Sequence, residues 1–150
     1  MRVTQTTLPI YSVFYTRSKI DPKPQYQRGS VWTEVQRQLL IDSILRGYDI
    51  PKLYLRELAN HSTYEFEVVD GQQRLRAIWD FMDNQYGLGE ISNDLYDNEN
   101  LVGRTFQSLN TTIQNKIEIQ KLKDSINYDA ILYFQRPNST IGRDGKIATH

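Results

Sequence analysis

Between Tyr64 and Met82 the spacing of apolar residues changes period without a gap. YEFEVV alternates Tyr64, Phe66 and Val68 against Glu65 and Glu67, the period of a half-buried strand. After Asp70-Gly71, the residues Leu75, Ile78, Trp79 and Met82 fall at i, i+3, i+4 and i+7, the stripe of an amphipathic helix. The helix must therefore fold back on the sheet that contains its own strand. This predicts a mixed α+β domain in which those four side chains lie in the core against residues 64–69.

The flanking sequence agrees. Residues 8–15, LPIYSVFY, read as a strand or a short helical turn, and IDPKPQYQRG, with two prolines, as an irregular or extended loop. Thr33 opens TEVQ, a capping box with Gln36, before a helix that buries Leu40, Ile41, Ile44 and Leu45 and ends at Gly47. KLYLREL reads as a strand, and ANHS as a turn that makes it a hairpin with YEFEVV. Residues 84–104 read as a long loop, 110–117 as a short helix, and 117–122 and 129–134 as strands. The tail from Pro137 shows no periodicity. One domain over 1–135 and an irregular tail over 136–150 are expected.

Several function classes drop out. The chain has no cysteine, so disulfides, thiolate zinc sites and cysteine nucleophiles are excluded. His61 and His150 are far apart and carry no metal-binding motif. No P-loop and no G-x-S-x-G is present. No apolar run approaches about 18 residues and the N-terminus lacks a secretory pattern, so a soluble, cytoplasmic protein without membrane contact is expected. Eighteen basic and eighteen acidic residues cancel, but unevenly: 1–79 is net +3, 80–100 has six acids and no base, and 101–150 is net +3. An anion site belongs in the first half or near the C-terminal end, and the acidic block reads as a solvated loop.

Two constellations can carry chemistry. At Val69-Asp70-Gly71-Gln72-Gln73-Arg74 a strand hands over to a helix, where free amides and the dipole favour a phosphate. Gly71 permits close backbone approach and Arg74 adds a forked cation. Gln72 and Gln73 can donate hydrogen bonds, and Asp70 can accept from a ribose hydroxyl or hold a hydrated Mg²⁺. The plainer account is structural: Asp70 to Gln73 is a D-x-x-Q capping box, and Asp70 and Arg74 can pair at i,i+4. From spacing alone the cap is the commoner outcome. The second constellation is Gln25-Tyr26-Gln27-Arg28-Gly29, followed by Val31-Trp32, a loop able to meet a phosphate or stack on a base. Trp32 reads better as a hydrophobic staple for the next helix, which leaves Arg28 as the functional candidate.

Taken together, Tyr26–Trp32 (YQRGSVW), Leu40–Pro51 (LIDSILRGYDIP) and Val68–Leu75 (VVDGQQRL) resemble the three ordered blocks of the DGQQR-motif family of GmrSD-type and SspE-type phage-restriction proteins. The chain is similar, more distantly, to the N-terminal nucleotide-binding domain of ParB and to sulfiredoxin, with Gly71-Gln72-Gln73-Arg74 at the place of the ParB G-E-R-R block. The resemblance implies a ParB/sulfiredoxin-like α+β fold, a small mixed sheet flanked by helices. It implies a nucleoside triphosphate bound with Mg²⁺ by Asp70, Gly71, Gln72, Gln73 and Arg74 and closed over by Gln27 and Arg28. Asp70, Gln73 and Arg74 would be the catalytic residues of an NTPase, with Asp70 reaching the Mg²⁺. The function implied is a nucleotide-binding module of a DNA-directed phage-defence system, acting on DNA with a separate nuclease domain or subunit. The alternative is a non-catalytic DNA- or partner-binding regulatory domain of the same fold. The chain departs from the family at Phe134-Gln-Arg-Pro-Asn138, where Pro137 replaces a usual leucine. The twelve residues after it do not resemble the family's continuation, so a truncated chain without self-sufficient DNA cleavage is expected.

Overall fold

The computed structural model describes residues 3–22, 31–58, 63–127, 139–141 and 147–149. Strand β1 (Val3–Pro9) runs directly into helix α1 (Ile10–Tyr15), so LPIYSVFY is the end of a strand followed by a helix. Pro9 stands at the junction, where its fixed φ suits a helix entry. Helix α1 buries Ile10, Val13 and Phe14 at i, i+3 and i+4, and a 3-10 turn at Arg17–Lys19 leads into β2 (Ile20–Asp21).

Helix α2 (Glu34–Leu45) starts and stops where its sequence signals stand. Thr33 and Gln36 form the reciprocal capping box, the Gln36 side chain accepting from the Thr33 amide at 2.8 Å. At the other end Gly47 takes φ 77°, its amide donating to the Ile44 carbonyl, while the Tyr48 amide donates to the Ser43 carbonyl. This pair of bonds is the left-handed helix stop that glycine permits. Leu40, Ile41, Ile44 and Leu45 are buried.

Strands β3 (Leu53–Glu57) and β4 (Phe66–Asp70) pair antiparallel as the hairpin reading expects, and helix α3 (Gln72–Met82) follows after one residue. Residues 83–110 hold 3-10 turns at Glu90–Ser92 and Phe106–Ser108 and lead to α4 (Thr111–Glu118), capped by the Asn110 side chain. Strand β5 (Lys121–Asn127) then runs parallel to β3 and antiparallel to β1. The sheet order is β1-β5-β3-β4-β2, with β2 parallel to β4. The architecture is α+β, with small mixed sheets flanked by helices. In the stretch read as an irregular tail, β6 (Ser139–Ile141) and β7 (Ile147–Thr149) pair antiparallel. The strand expected at 129–134 lies outside the described residues.

Leu75, Ile78, Trp79 and Met82 are buried on α3, packed with Leu53, Leu55, Val68, Ile41 and Ile44. The period change therefore located the core. Alternation along β4 misplaces one residue. Glu67, expected on the water-facing side, is buried and lies opposite Arg56, whose guanidinium donates to both carboxylate oxygens at 3.0 Å. The second face of the sheet is covered there too, and the charge is accommodated by pairing. The loop at 84–104 is irregular as expected, yet Tyr86, Leu88 and Leu101 are buried, and the Tyr86 hydroxyl donates to the Ala77 carbonyl at 2.6 Å. Burial raises the Tyr86 hydroxyl well above its ordinary pKa.

Candidate functional site

The junction between β4 and α3 is shaped by an extra residue. The register shifts between Tyr54 and Leu55: Leu55 faces Val68 and Tyr54 faces Asp70, so Val69 has no opposite number. Such a bulge bends the strand and re-aims the residues beyond it. Two consecutive valines, Val68 and Val69, break the alternation of β4, which is the sequence signal for it. The Gln72 side-chain amide donates to the Val68 and Val69 carbonyls, both at 3.3 Å, and so closes the end of the strand.

Gly71 is the N-cap of α3, with φ 101° and ψ 15°. A Cβ there would meet Leu53 Cδ2 at 2.5 Å and Arg74 Nη2 at 3.1 Å, so both backbone and space demand glycine. The N-cap conformation corrects the D-x-x-Q expectation. Among the described residues no side chain caps α3, because the cap position falls one residue later than Asp70, on a glycine. Gln73 instead turns its carbonyl oxygen to the Trp32 amide at 3.2 Å. The expected Asp70–Arg74 pair is also not formed: Arg74 Nη2 donates to the Lys52 carbonyl at 2.8 Å. Asp70 is exposed and, among the described residues, makes no ion pair.

The junction thus gathers Asp70, Gly71, Gln72, Gln73 and Arg74 at one place, with different commitments. Gln72 donates its amide hydrogens to β4, whereas the Gln73 NH₂ group has no acceptor among the described residues. Among the described residues Arg74 is anchored through Nη2 alone, and its Nε is buried with no hydrogen-bond partner. With an uncapped helix start alongside, these are donors suited to an anion. Gln27 and Arg28 lie outside the described residues. Trp32 is half-buried against the core, and its amide ties the segment before α2 to the junction; the position a staple would pair it with on α2 is Arg37, which is not apolar. The anchors at Trp32 and the Lys52 carbonyl escaped sequence reasoning, since backbone partners leave no residue signature. Among the described residues, no group of three or more His, Asp or Glu side chains could hold a metal ion, and no helix is long and apolar enough to cross a membrane.

Fold and junction define a class: a mixed α+β domain with an uncapped, glycine-led helix start and an arginine one turn in. A scan against protein families matches residues 11–143 to the GmrSD restriction endonuclease N-terminal domain. The chain belongs to that family, and so to a group of restriction-type proteins. Comparisons with curated proteins and with solved structures each gave no match.

Proposed function

We propose that the start of α3 binds the phosphates of a nucleoside triphosphate, and that the domain does so as the nucleotide-sensing part of a cytoplasmic, DNA-directed restriction system. A separate nuclease domain or subunit would act on the DNA. The observation that carries this reading is Arg74, whose buried Nε has no partner beside an uncapped helix N-terminus. The Nε is enclosed by protein, so an anionic oxygen would reach it only with a shift of the guanidinium, which the cost of a buried donor without an acceptor, roughly 1–3 kcal/mol, would favour. Gly71 lets the strand end pass close over Leu53 and sets the left-handed turn from which α3 starts. A Mg²⁺ at this place would bind through phosphate oxygens and water, with Asp70 as its protein contact, in keeping with the few protein ligands that Mg²⁺ takes. Gln27 and Arg28 are proposed to close the site, on the family resemblance.

Calorimetric titration with ATP, GTP and CTP in the presence of Mg²⁺ tests the proposal. At least one should bind, and Arg74→Ala should weaken it by about tenfold to hundredfold, the value of a charge-assisted contact. Phosphate release on the same samples divides the outcomes: release abolished by Asp70→Asn and Arg74→Ala marks an NTPase, whereas binding without release marks a regulatory domain. Folded protein that binds none of the three at millimolar concentration overturns the phosphate-site reading.

A further inference from the structure

The irregular stretch after α3 builds a second feature, away from the junction. Its 3-10 turn, Glu90–Ser92, packs on the C-terminal half of α2. Asp42 is buried in that contact, its carboxylate accepting from Ser92 Oγ at 2.9 Å and from Arg46 Nε at 2.7 Å. Arg46 also donates to the Ile91 carbonyl at 3.0 Å and to Asp94 Oδ1 at 2.8 Å. This seam fixes the turn against the helix and leaves a groove of about 520 Å³ along it.

Leu39, Tyr48 and Ile91 edge the groove and are between 44% and 58% exposed. Large apolar side chains gathered around one concavity mark an interaction site more often than scattered ones do. The charge says what kind of partner fits. Three carboxylates line the groove, Asp42, Glu90 and Asp94, against the single guanidinium of Arg46, which is already bonded to two of them. Glu90 is exposed and makes no ion pair among the described residues. The surrounding stretch, 80–100, carries six acids and no base. An acidic rim repels nucleic acid. A two-fold contact between copies would set the same carboxylates against each other.

We propose that this groove docks a basic amphipathic segment of a partner protein, with apolar side chains on Leu39, Tyr48 and Ile91 and a lysine or arginine facing Glu90 and Asp94. The surface is independent of the phosphate site, so either can fail alone. The test is selection of a displayed library of random peptides, about 16 residues long so that helices can form, on the full chain. A parallel selection uses the Glu90→Lys/Ile91→Ser double variant. Both positions are exposed and leave the bonds of the Asp42 side chain in place, and circular dichroism verifies the fold. Enriched peptides should carry lysine or arginine beside apolar residues at helical spacing. Their affinity for the double variant should be weaker by about tenfold or more, through a reversed rim charge and a lost apolar contact. Peptides that are acidic or uncharged, that bind the double variant equally well, or that never enrich overturn the proposal. So does sedimentation showing that the chain self-associates and that the double variant does not.

Discussion

Replacing Gly71 by alanine perturbs the junction at its narrowest point, and its effect can be worked out before measurement. At φ 101° an L-residue pays roughly 1–2 kcal/mol for left-handed backbone. The new methyl would stand 2.5 Å from Leu53 Cδ2, and Leu53 is buried, so it must leave its preferred rotamer for roughly another 0.5–1.5 kcal/mol. Together these destabilise by about 1.5–3.5 kcal/mol, a large part of the roughly 5–15 kcal/mol typical of a domain. Arg74 Nη2, 3.1 Å from the same methyl, must also shift, and its bond to the Lys52 carbonyl shifts with it. On the proposed phosphate-site reading, nucleotide affinity should fall along with stability. Urea unfolding with an unchanged slope measures the first effect. Amide hydrogen exchange should localise it as faster exchange in the first turn of α3 and at Leu53. A loss below about 0.5 kcal/mol, the range of an ordinary surface substitution, with unaltered exchange would refute both the left-handed cap and the contact with Leu53.

Trp79→Ala should destabilise by about 3–5 kcal/mol in urea unfolding, because the ring is buried in the core. Breaking the Arg56–Glu67 pair with Glu67→Ala should lose about 3–5 kcal/mol, while replacing both partners by Met and Leu should restore most of it in the same assay. Gln73→Ala should destabilise by about 1 kcal/mol through the lost bond to the Trp32 amide, and Gln73→Glu, which keeps the acceptor, should recover the loss. Hydrogen bonding from Arg46, helped by its charge, holds the Asp94 carboxyl below its ordinary pKa. The stability it adds is present above the usual carboxylate range and disappears as pH falls through the lowered value. The Asp94 side chain is 72% exposed, so Asp94→Asn should flatten the acid limb of a thermal-stability profile only slightly, and added salt should shrink the difference.

How far the sequence carries depends on whether a signal is local. The caps of α2 and the apolar stripe of α3 were legible because each is written within a few consecutive positions, in residue types with one preferred use there. The burial of Glu67 was not, because its partner Arg56 lies on another strand, and alternation along one strand says nothing of what covers its second face. The packing of the 84–104 loop was hidden for the same reason. Its composition is polar, but three of its apolar residues, Tyr86, Leu88 and Leu101, reach into a core built by distant elements.

The D-x-x-Q motif shows a further limit, since spacing allowed two uses and favoured the one that did not form. A capping box needs Asp70 in the cap position, and the bulge at Val69 with the left-handed Gly71 moves that position one residue on. Once that happens, Gln73 is free to hold Trp32 and Arg74 to hold the Lys52 carbonyl, while the Asp70 carboxylate stays in solvent. A helix start that could have been closed by its own neighbouring carboxylate is left open, with a buried Nε of Arg74 unpaired beside it. Arg37 Nε and Trp79 Nε1 are likewise buried without a hydrogen-bond partner, so the idle donor of Arg74 counts only together with the open helix start beside it. On the reading proposed above an anionic ligand would meet the open helix start, and the bulge with the left-handed Gly71 keeps Asp70 from the cap position it would otherwise take.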